Sequence, residues 1–264
     1  MTRKVLGVKV DDILMGEAVE LIAGWLVTKK GSSLKRIILK KDHPFIVVTP
    51  GPEFLVTAQE DVEFKNILNA ADLSVPDGFG LHLAGIKNRV PGVDLMISLC
   101  QLAAKNGWTI GMMGHPNTSL AAEKLRQRFP GIKILYSLDN PETDNILRYY
   151  DIINRDTDTV KKRTNELPPV DLLFVGVGHP KQEELLFNCK LKNENCKFRV
   201  GMGVGGSFDF ISGRVWEPGG IFNTLGLKWL GRLMANPGHF SRVVKATIIF
   251  PLMLLKEKIS LIQI

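Results

Sequence analysis

The feature that most constrains this sequence is the alternation of short apolar runs with helical segments of about 10–15 residues. Four of the runs contain β-branched residues and are followed directly by Pro or Gly: Phe45–Thr49, Ala71–Val75, Thr109–Met113 and Val170–Val175. Strands separated by helices pair in parallel, because each helix carries the chain back across the sheet. The sequence therefore predicts the α/β class, with a mostly parallel, Rossmann-like sheet covered by helices on both faces.

The remaining segments fit the same plan. Further strands are predicted at Ile132–Tyr136 and Phe198–Met202, and an edge strand at Val5–Val10. Glu53–Ala70 is predicted to form two short helices, with Asp61 as the cap between them. Ligands of such sheets bind at the carboxyl ends of the strands, so candidate site residues are sought there.

The chain divides by composition into an α/β core, residues 1–215, and a basic, amphipathic helical appendage, residues 216–264. Residues 214–264, the appendage with the two residues before it, carry five of the seven net positive charges. No apolar run approaches the ~20 residues that cross a bilayer. The longest, Ala246–Leu255, lies between two lysines and contains Pro251. We expect this segment to lie on a membrane surface. The alternative is an ordinary helix that packs on the core.

The net charge of +7 and the pI near 9.3 indicate an anionic partner, such as a phosphorylated substrate or a lipid headgroup. Nucleic acid suits the pattern less well, because the positive charge alternates with apolar helix faces and not with an aromatic stacking platform. The amino terminus lacks the uninterrupted apolar core of a signal peptide. We therefore expect a cytoplasmic protein that binds the inner face of the cell membrane peripherally.

One strand end carries a carboxylate. Asp77 lies in the turn Pro76-Asp77-Gly78, directly after the predicted strand Ala71–Val75. A carboxylate at this edge of the sheet can act as a general base toward a bound substrate. The alternative is that Asp77 only caps the turn or the helix that begins near Phe79.

Another strand end is rich in glycine. Gly201, Gly203 and Gly206 satisfy the pattern Gly-x-Gly-x-x-Gly after the predicted strand Phe198–Met202. Backbone amides in such a turn can hold a diphosphate. No acid follows about 20 residues later, so a nucleoside diphosphate fits better than NAD. A close-packed turn without a ligand is the alternative.

Several stretches, in this order along the chain, together resemble the WecG/TagA/CpsF family of bacterial sugar transferases. They are Gly7–Asp11, Val48–Phe54, Ala71–Gly78, Arg89–Met96, Gly178–Glu183, Val200–Asp209, Ser212–Arg214 and Leu225–Arg232. The resemblance implies an inverting, metal-independent glycosyltransferase. Such an enzyme moves an N-acetylmannosamine-type sugar from UDP to the 4-hydroxyl of GlcNAc on undecaprenyl diphosphate, in teichoic-acid, common-antigen or capsule synthesis.

The resemblance also implies the site. Asp77 is the candidate base. The predicted substrate-binding residues are Thr49, Gly51, Arg89, Lys181, Gln182, Gly203, Gly205, Gly206, Ser207, Arg232 and Arg242. Taken without the family, Thr49 is a strand-end hydroxyl, Arg89 a surface cation and Gln182 a polar residue at a helix start. Arg232 and Arg242 could equally contact lipid headgroups.

Metal and cofactor signals are weak. Asp156-Thr157-Asp158 matches the Asp-x-Asp pattern of metal-dependent sugar transferases, but it lies in a hydrophilic stretch that we interpret as a solvated loop. The five His show no metal-ligand spacing, and the three Cys no Cys-x-x-Cys spacing. We predict neither a metal nor a cofactor.

The sequence also departs from the family. Gly51 stands where the family usually has Asn, and the aromatic run expected after Tyr136 is missing. These departures leave open an alternative function, a catalytically impaired protein that binds UDP-sugar or lipid at the membrane surface. The exact donor is not determined by the sequence, and a homo-oligomer is compatible with it.

Overall fold

The computed structural model describes residues 1–27, 43–114, 116–139, 167–192, 197–214 and 240–262. Its strands are β1 Thr2–Val5, β2 Val8–Asp11, β3 Phe45–Val48, β4 Leu73–Ser74, β5 Thr109–Gly114, β6 Lys133–Asp139, β7 Val170–Val175 and β8 Phe198–Gly203. Its α-helices are α1 Met15–Leu26, α2 Pro52–Glu60, α3 Val62–Ala70, α4 Gly92–Asn106, α5 Thr118–Arg128, α6 Lys181–Lys192, α7 Ser207–Ser212, α8 Phe240–Val244 and α9 Phe250–Ile262. A 3-10 helix, Phe79–Ala84, follows the Asp77 turn, and a π-helical turn, Lys245–Ile249, joins α8 to α9.

Six strands form one sheet in the order β4-β3-β8-β7-β5-β6, and every neighbouring pair is parallel. This confirms the predicted α/β class with a parallel sheet. Because the strands are parallel, their carboxyl ends meet at one edge. The ends of β4, β3 and β8 are neighbours there, although they are far apart in the sequence.

Helices cover both faces of the sheet, as the apolar runs predict. Alternate strand residues point to opposite faces, so Val47 and Phe174 belong to one core, and Ile46 and Val175 to the other. Helices α1, α4 and α5 complete the first core, and α2, α3 and α6 the second. The site edge therefore rests on a sheet that is buried on both sides.

Two strand predictions need correction. The predicted strand Ala71–Val75 shortens to β4, although Val75 still donates its N–H to the Val48 carbonyl at 2.9 Å. Pro76, which cannot donate, ends the pairing. The predicted edge strand Val5–Val10 is wrong. The chain reverses at Leu6 and Gly7, both with positive φ, and β1 and β2 form a separate antiparallel sheet.

The division between α2 and α3 is confirmed. Asp61 is the N-cap of α3, and its side chain accepts a hydrogen bond from the Phe64 N–H at 2.9 Å. This bond satisfies one of the N–H groups that the first turn of a helix leaves unpaired. Asn145–Asn154, for which the sequence also predicts a helix, lies outside the described residues.

The carboxy-terminal segment is one continuous helical rod from Phe240 to Ile262. Its π turn precedes Pro251, which has no N–H for the helical ladder. Phe250 and Leu254 are buried in the second core, and Lys245 Nζ contacts Glu60 Oε2 at 2.9 Å. The rod is therefore docked on the core. Within the described ranges, no helix combines the length and apolar character needed to cross a membrane.

Candidate active site

The turn that carries Asp77 is held by backbone contacts from two directions. The Asp77 N–H donates to the Pro50 carbonyl at 3.1 Å, and the Val90 N–H donates to the Pro76 carbonyl at 2.7 Å. A Cβ at Gly78 would lie 2.6 Å from Pro52 Cδ, so only glycine fits against that ring. The position of Asp77 is therefore set by its neighbours on both sides.

The carboxylate of Asp77 meets the start of α4. Its Oδ2 accepts the N–H of Gly92 at 3.0 Å, and the residue is partly exposed. The positive end of the helix dipole favours a negative charge at this place. The side chain thus has a fixed contact on the protein side and remains accessible to solvent.

Thr49 connects the Asp77 turn to the end of β8. Its Oγ1 donates to the Gly203 carbonyl at 3.4 Å. A Cβ at Gly92 would lie 3.4 Å from Thr49 Oγ1 and 3.2 Å from Asp77 Oδ2. The Thr49 hydroxyl and the Asp77 carboxylate therefore both lie next to Gly92, at the start of α4. The structure brings Asp77 and the glycine-rich loop to one edge of the sheet.

Most backbone N–H groups of the glycine-rich loop already donate hydrogen bonds to other groups of the chain. The N–H of Val204 donates to Val175 O at 2.8 Å, and that of Ser207 to Val204 O at 3.1 Å. The N–H of Gly205 donates to Gln182 Oε1 at 2.9 Å. Among the described residues, the Gly206 N–H has no acceptor. The Ser207 hydroxyl also donates internally, to Val204 O at 2.6 Å.

Gly203 makes room for two side chains. A Cβ there would lie 2.7 Å from Gln182 Nε2 and 2.7 Å from Glu183 Oε1. Gln182 and Glu183, at the start of α6, are both almost fully buried. Close packing explains this glycine, whereas a Cβ at Gly205 would meet nothing within 4 Å and one at Gly206 would meet only Asp209 Oδ2, at 3.9 Å. Lys181, the first residue of α6, is partly exposed.

Glu183 is the buried group at this edge that the sequence interpretation missed. Burial raises the pKa of its carboxyl to about 8, and the charge of Glu184 acts in the same direction. The hydrogen bond from Gln182 acts the other way. Glu183 belongs to the motif Gly178–Glu183, but nothing in the sequence alone shows that its side chain points inward.

Arg89 follows a loop that a buried carboxylate organises. Asp12 accepts the N–H groups of Lys87 at 3.1 Å and Asn88 at 2.8 Å, and the Asn88 amide at 2.9 Å. Burial acts to raise the pKa of Asp12, but these bonds and the charge of Arg3 outweigh it, so the pKa is lowered. Arg89 Nε is buried without a partner in the described parts of the chain.

Arg242 of α8 reaches the turn after β7. Its Nη2 lies 3.3 Å from the position of a Cβ on Gly178. Burial and then the charges of Arg242 and Lys245 lower the pKa of His179 to about 4. The His179 ring packs against Phe54 with the ring centroids 4.2 Å apart. Arg232 lies outside the described residues.

Gly51 is the N-cap of α2 and is buried. A Cβ there would lie 2.7 Å from Glu53 Oε2 and 2.9 Å from the Asp77 carbonyl. An asparagine at this position would require both the Glu53 carboxylate and the Asp77 carbonyl to move. The glycine therefore belongs to a local arrangement in which Glu53 folds back toward the Asp77 turn.

Metal-ligating residues do not cluster in the described ranges, where no three His, Cys, Asp or Glu could hold one ion. The Asp156–Asp158 segment, which we interpret as a solvated loop, falls outside them. The described residues place a carboxylate (Asp77), a hydroxyl (Thr49), an amide side chain (Gln182) and nearby cations at this edge.

Comparison with known proteins agrees with the motifs. The chain matches the model of the glycosyl transferase WecG/TagA/CpsF family over residues 3–263. Two similar proteins, from Staphylococcus aureus strains NCTC 8325 / PS 47 and COL, are named N-acetylglucosaminyldiphosphoundecaprenol N-acetyl-beta-D-mannosaminyltransferase. Each is 28% identical over 260 residues, which cover 92% of this chain and 92% of the relative. The resemblance inferred from the motifs is confirmed: the chain belongs to the WecG/TagA/CpsF family of glycosyl transferases.

Proposed function

We propose that the chain transfers N-acetylmannosamine, or a related sugar, from a UDP-sugar to the 4-hydroxyl of GlcNAc on undecaprenyl diphosphate. The transfer inverts the anomeric carbon and serves teichoic-acid or other cell-wall polysaccharide synthesis. The names of the relatives support the sugar and the acceptor. The observation that carries the proposal is the meeting of Asp77, Thr49 and the Gly203 loop at one sheet edge.

Asp77 is the general base of this proposal. It takes the proton of the acceptor hydroxyl while that oxygen attacks the anomeric carbon and UDP leaves from the opposite side. A single displacement of this kind inverts the configuration. The contact with Gly92 orients the carboxylate, and its partial exposure leaves room for an acceptor sugar.

The leaving diphosphate needs positive charge or oriented N–H groups. The Gly206 N–H, which has no acceptor among the described residues, is one candidate. Lys181, Arg89 and Arg242 are the cations that we assign to this role, on the basis of their places around the same edge. Thr49 and Gln182 line the pocket in this proposal, and Arg232 joins the cations from the appendage.

The core spans residues 1–215 in this proposal, and the appendage, residues 216–264, brings it to the lipid-linked acceptor. In α9 and the π turn before it, four apolar side chains follow the spacing of one helix face and are 54–60% exposed: Ile248, Leu252, Leu255 and Ile259. They lie opposite the buried Phe250 and Leu254. At 3.6 residues per turn, Lys256 and Lys258 fall on either side of this stripe. Such a face suits the anionic inner surface of the cell membrane.

The transfer is tested by UDP release from UDP-N-acetylmannosamine and a short-chain GlcNAc-diphospholipid, with EDTA present. We expect turnover, and an inverted linkage in the product by NMR. Loss of turnover with EDTA, restored by a divalent ion, would overturn the metal-independent mechanism. Faster transfer from another member of a UDP-sugar panel would replace the donor.

The membrane contact is tested by sedimentation with vesicles that contain phosphatidylglycerol. Replacing Leu252 and Leu255 by Glu removes two exposed apolar groups, and we expect binding to fall at least about tenfold. Leu191→Glu, at an equally exposed position on α6, is the matched control and keeps wild-type binding. Equal binding by all three proteins would contradict the assignment, and an altered oligomeric state would reassign the stripe to contact between copies.

A second candidate function is binding without transfer. The absence of the family's Asn at Gly51 and the internal use of the Gly205 and Ser207 amides favour it. It predicts that UDP binds to the protein while no sugar of the panel is transferred. Turnover with any donor would exclude it.

A further inference from the structure

Glu183 is a fully buried carboxyl with one hydrogen-bonded oxygen. Its Oε1 accepts the Gln182 Nε2 group at 2.6 Å. Its Oε2 is buried, and no partner for it exists in the parts of the chain that the structure describes. A buried polar atom of this kind is costly and calls for a physical reason.

The contact connects Glu183 to the glycine-rich loop. While Gln182 donates to Glu183, its Oε1 accepts the N–H of Gly205 at 2.9 Å. Both side chains occupy the space beside Gly203 that a Cβ would fill. The orientation of one amide thus determines where Gly205, and the adjoining N–H of Gly206, are placed.

Burial without a neutralising cation makes the neutral acid the stable form of this carboxyl. The raised pKa, about 8, agrees with this, and the one charge that contributes to it is that of Glu184. Lys181, at the start of α6, is partly exposed and is not among the charges that shift the pKa of Glu183, and three other cations on α6 and on the elements packed against it are engaged elsewhere. Lys65 bonds to Gln59, Arg199 to Asp171, and Lys190 to Asp72. The acidic Glu63 of α3 is exposed.

We propose that Glu183 is a positioning residue, which acts through Gln182 to hold the Gly205–Gly206 loop in the shape that receives the donor's diphosphate. The inference rests on the proposed function for the identity of that ligand. The protonation state of Glu183 does not depend on the proposed function, so the protonation state and the positioning role are tested separately.

The first test compares the pH dependence of unfolding in wild type and Glu183→Gln, by urea denaturation from pH 5 to pH 8. In this window the folded protein keeps a proton that the unfolded chain has released, so the stability of the wild type falls as pH rises. We expect its unfolding constant to rise about tenfold per pH unit relative to Glu183→Gln. Glu184→Gln, one residue away, keeps a stability that falls as pH rises, but the fall ends at a lower pH because the charge of Glu184 no longer raises the pKa of Glu183. If the free energies of unfolding of wild type and Glu183→Gln change with pH in parallel, the proposal that Glu183 is neutral in the folded protein is overturned.

The second test measures UDP affinity by calorimetry between pH 7 and pH 9. We expect Glu183→Gln, which keeps the acceptor for Gln182, to bind like wild type at pH 7. Above pH 8 the wild type loses at least about threefold in affinity because Glu183 ionises, whereas Glu183→Gln does not. Glu183→Leu, where it folds, binds at least about tenfold more weakly at all pH values.

The outcomes separate the two proposals. A wild type and a Glu183→Gln variant with the same pH profile of UDP affinity would overturn the positioning role, even if Glu183→Leu does not fold. Unchanged UDP affinity in a folded Glu183→Leu protein would also overturn it. Absence of UDP binding by the wild type would overturn the proposed function together with the positioning role, while the unfolding test would still decide the state of Glu183.

Discussion

Two strand ends at the same edge of the sheet use their polar groups in opposite ways. After β4, the turn at Asp77 directs its backbone groups into the protein and leaves the carboxylate partly exposed. After β8, the loop Gly203–Ser207 spends three of its amides on acceptors inside the chain. In the sequence the two ends look equally suited to bind a ligand.

The difference shows which group each end offers. The Asp77 turn presents a side chain, and its backbone serves only to hold it. The β8 loop offers mainly its backbone conformation, which is in contact with the side chains of Gln182 and Glu183, and one unused backbone N–H among the described residues, that of Gly206. We therefore expect substitutions in the turn to affect turnover and substitutions in the loop to affect folding and UDP affinity.

The largest expected effect is on turnover at the first strand end. Asp77→Asn removes the base but keeps the size of the side chain, so we expect the rate to fall by roughly 10²–10⁴-fold. UDP affinity stays within about twofold, because the leaving group binds elsewhere. UDP-release kinetics and calorimetry measure the two quantities. A full rate in this variant would remove Asp77 as the base.

The second largest expected effect is on stability, and it compares two glycines of the β8 loop. Gly203→Ala forces a Cβ against Gln182 and Glu183, and overpacking of this kind lowers the free energy of unfolding by about 1–3 kcal/mol. Gly206→Ala is the matched control, since its Cβ would meet only Asp209 Oδ2, at an ordinary contact distance of 3.9 Å, and its φ of −77° suits any residue. Urea denaturation compares them. Equal losses would show that packing is not what Gly203 provides.

A third prediction concerns the support of the first strand end. Asp12→Ala leaves the N–H groups of Lys87 and Asn88 without their acceptor. We therefore expect the free energy of unfolding to fall by about 1–2 kcal/mol. The pKa of Asp12 is lowered by folding, so the stability it contributes is present above pH 3.8 and lost as pH falls below it. Thermal unfolding of both proteins from pH 7 down to pH 2 tests this, because the difference between them should shrink progressively below pH 3.8. A difference that stays constant over the whole range would contradict it.

The smallest effect tests the link between the two ends. Thr49→Val keeps the shape of the side chain but removes the hydroxyl that donates to Gly203 O. At 3.4 Å that bond is long, so we expect at most about 1 kcal/mol of lost stability. A fall in turnover that the lost stability does not account for would indicate that the hydroxyl also contacts substrate. Thr109→Val, on the remote amino end of β5, is the control for loss of a strand hydroxyl.

Much of the fold could be predicted because its signals are local. The β-branched runs, the Pro and Gly that end them, and Asp61 between two helices each act within a few residues. The two strand errors occurred where the apolar pattern does not show how far strand pairing continues. Val5–Val10 alternates like one strand, but the turn at Leu6 and Gly7 makes it a hairpin. Ala71–Val75 shortens because its edge position and Pro76 limit pairing.

The candidate site was predictable in its residues and not in their contacts. Asp77, Thr49, Gln182 and Gly203 follow from strand ends and family motifs. That Gln182 takes the Gly205 amide, and that Gly203 is small to accommodate Glu183, depends on atoms at least 20 residues apart in the chain. No local pattern contains this information.

By itself, the sequence determined that this protein is an α/β chain of a known transferase family with a carboxylate at a strand end. It did so because periodicity, turn chemistry and motifs are properties of neighbouring residues. Only the tertiary structure decided that the ends of β3, β4 and β8 adjoin, which amides are already used, and that Glu183 is buried. The physical reason is that burial and hydrogen-bond satisfaction depend on what packs against a group, which is set by the whole sheet and its helices.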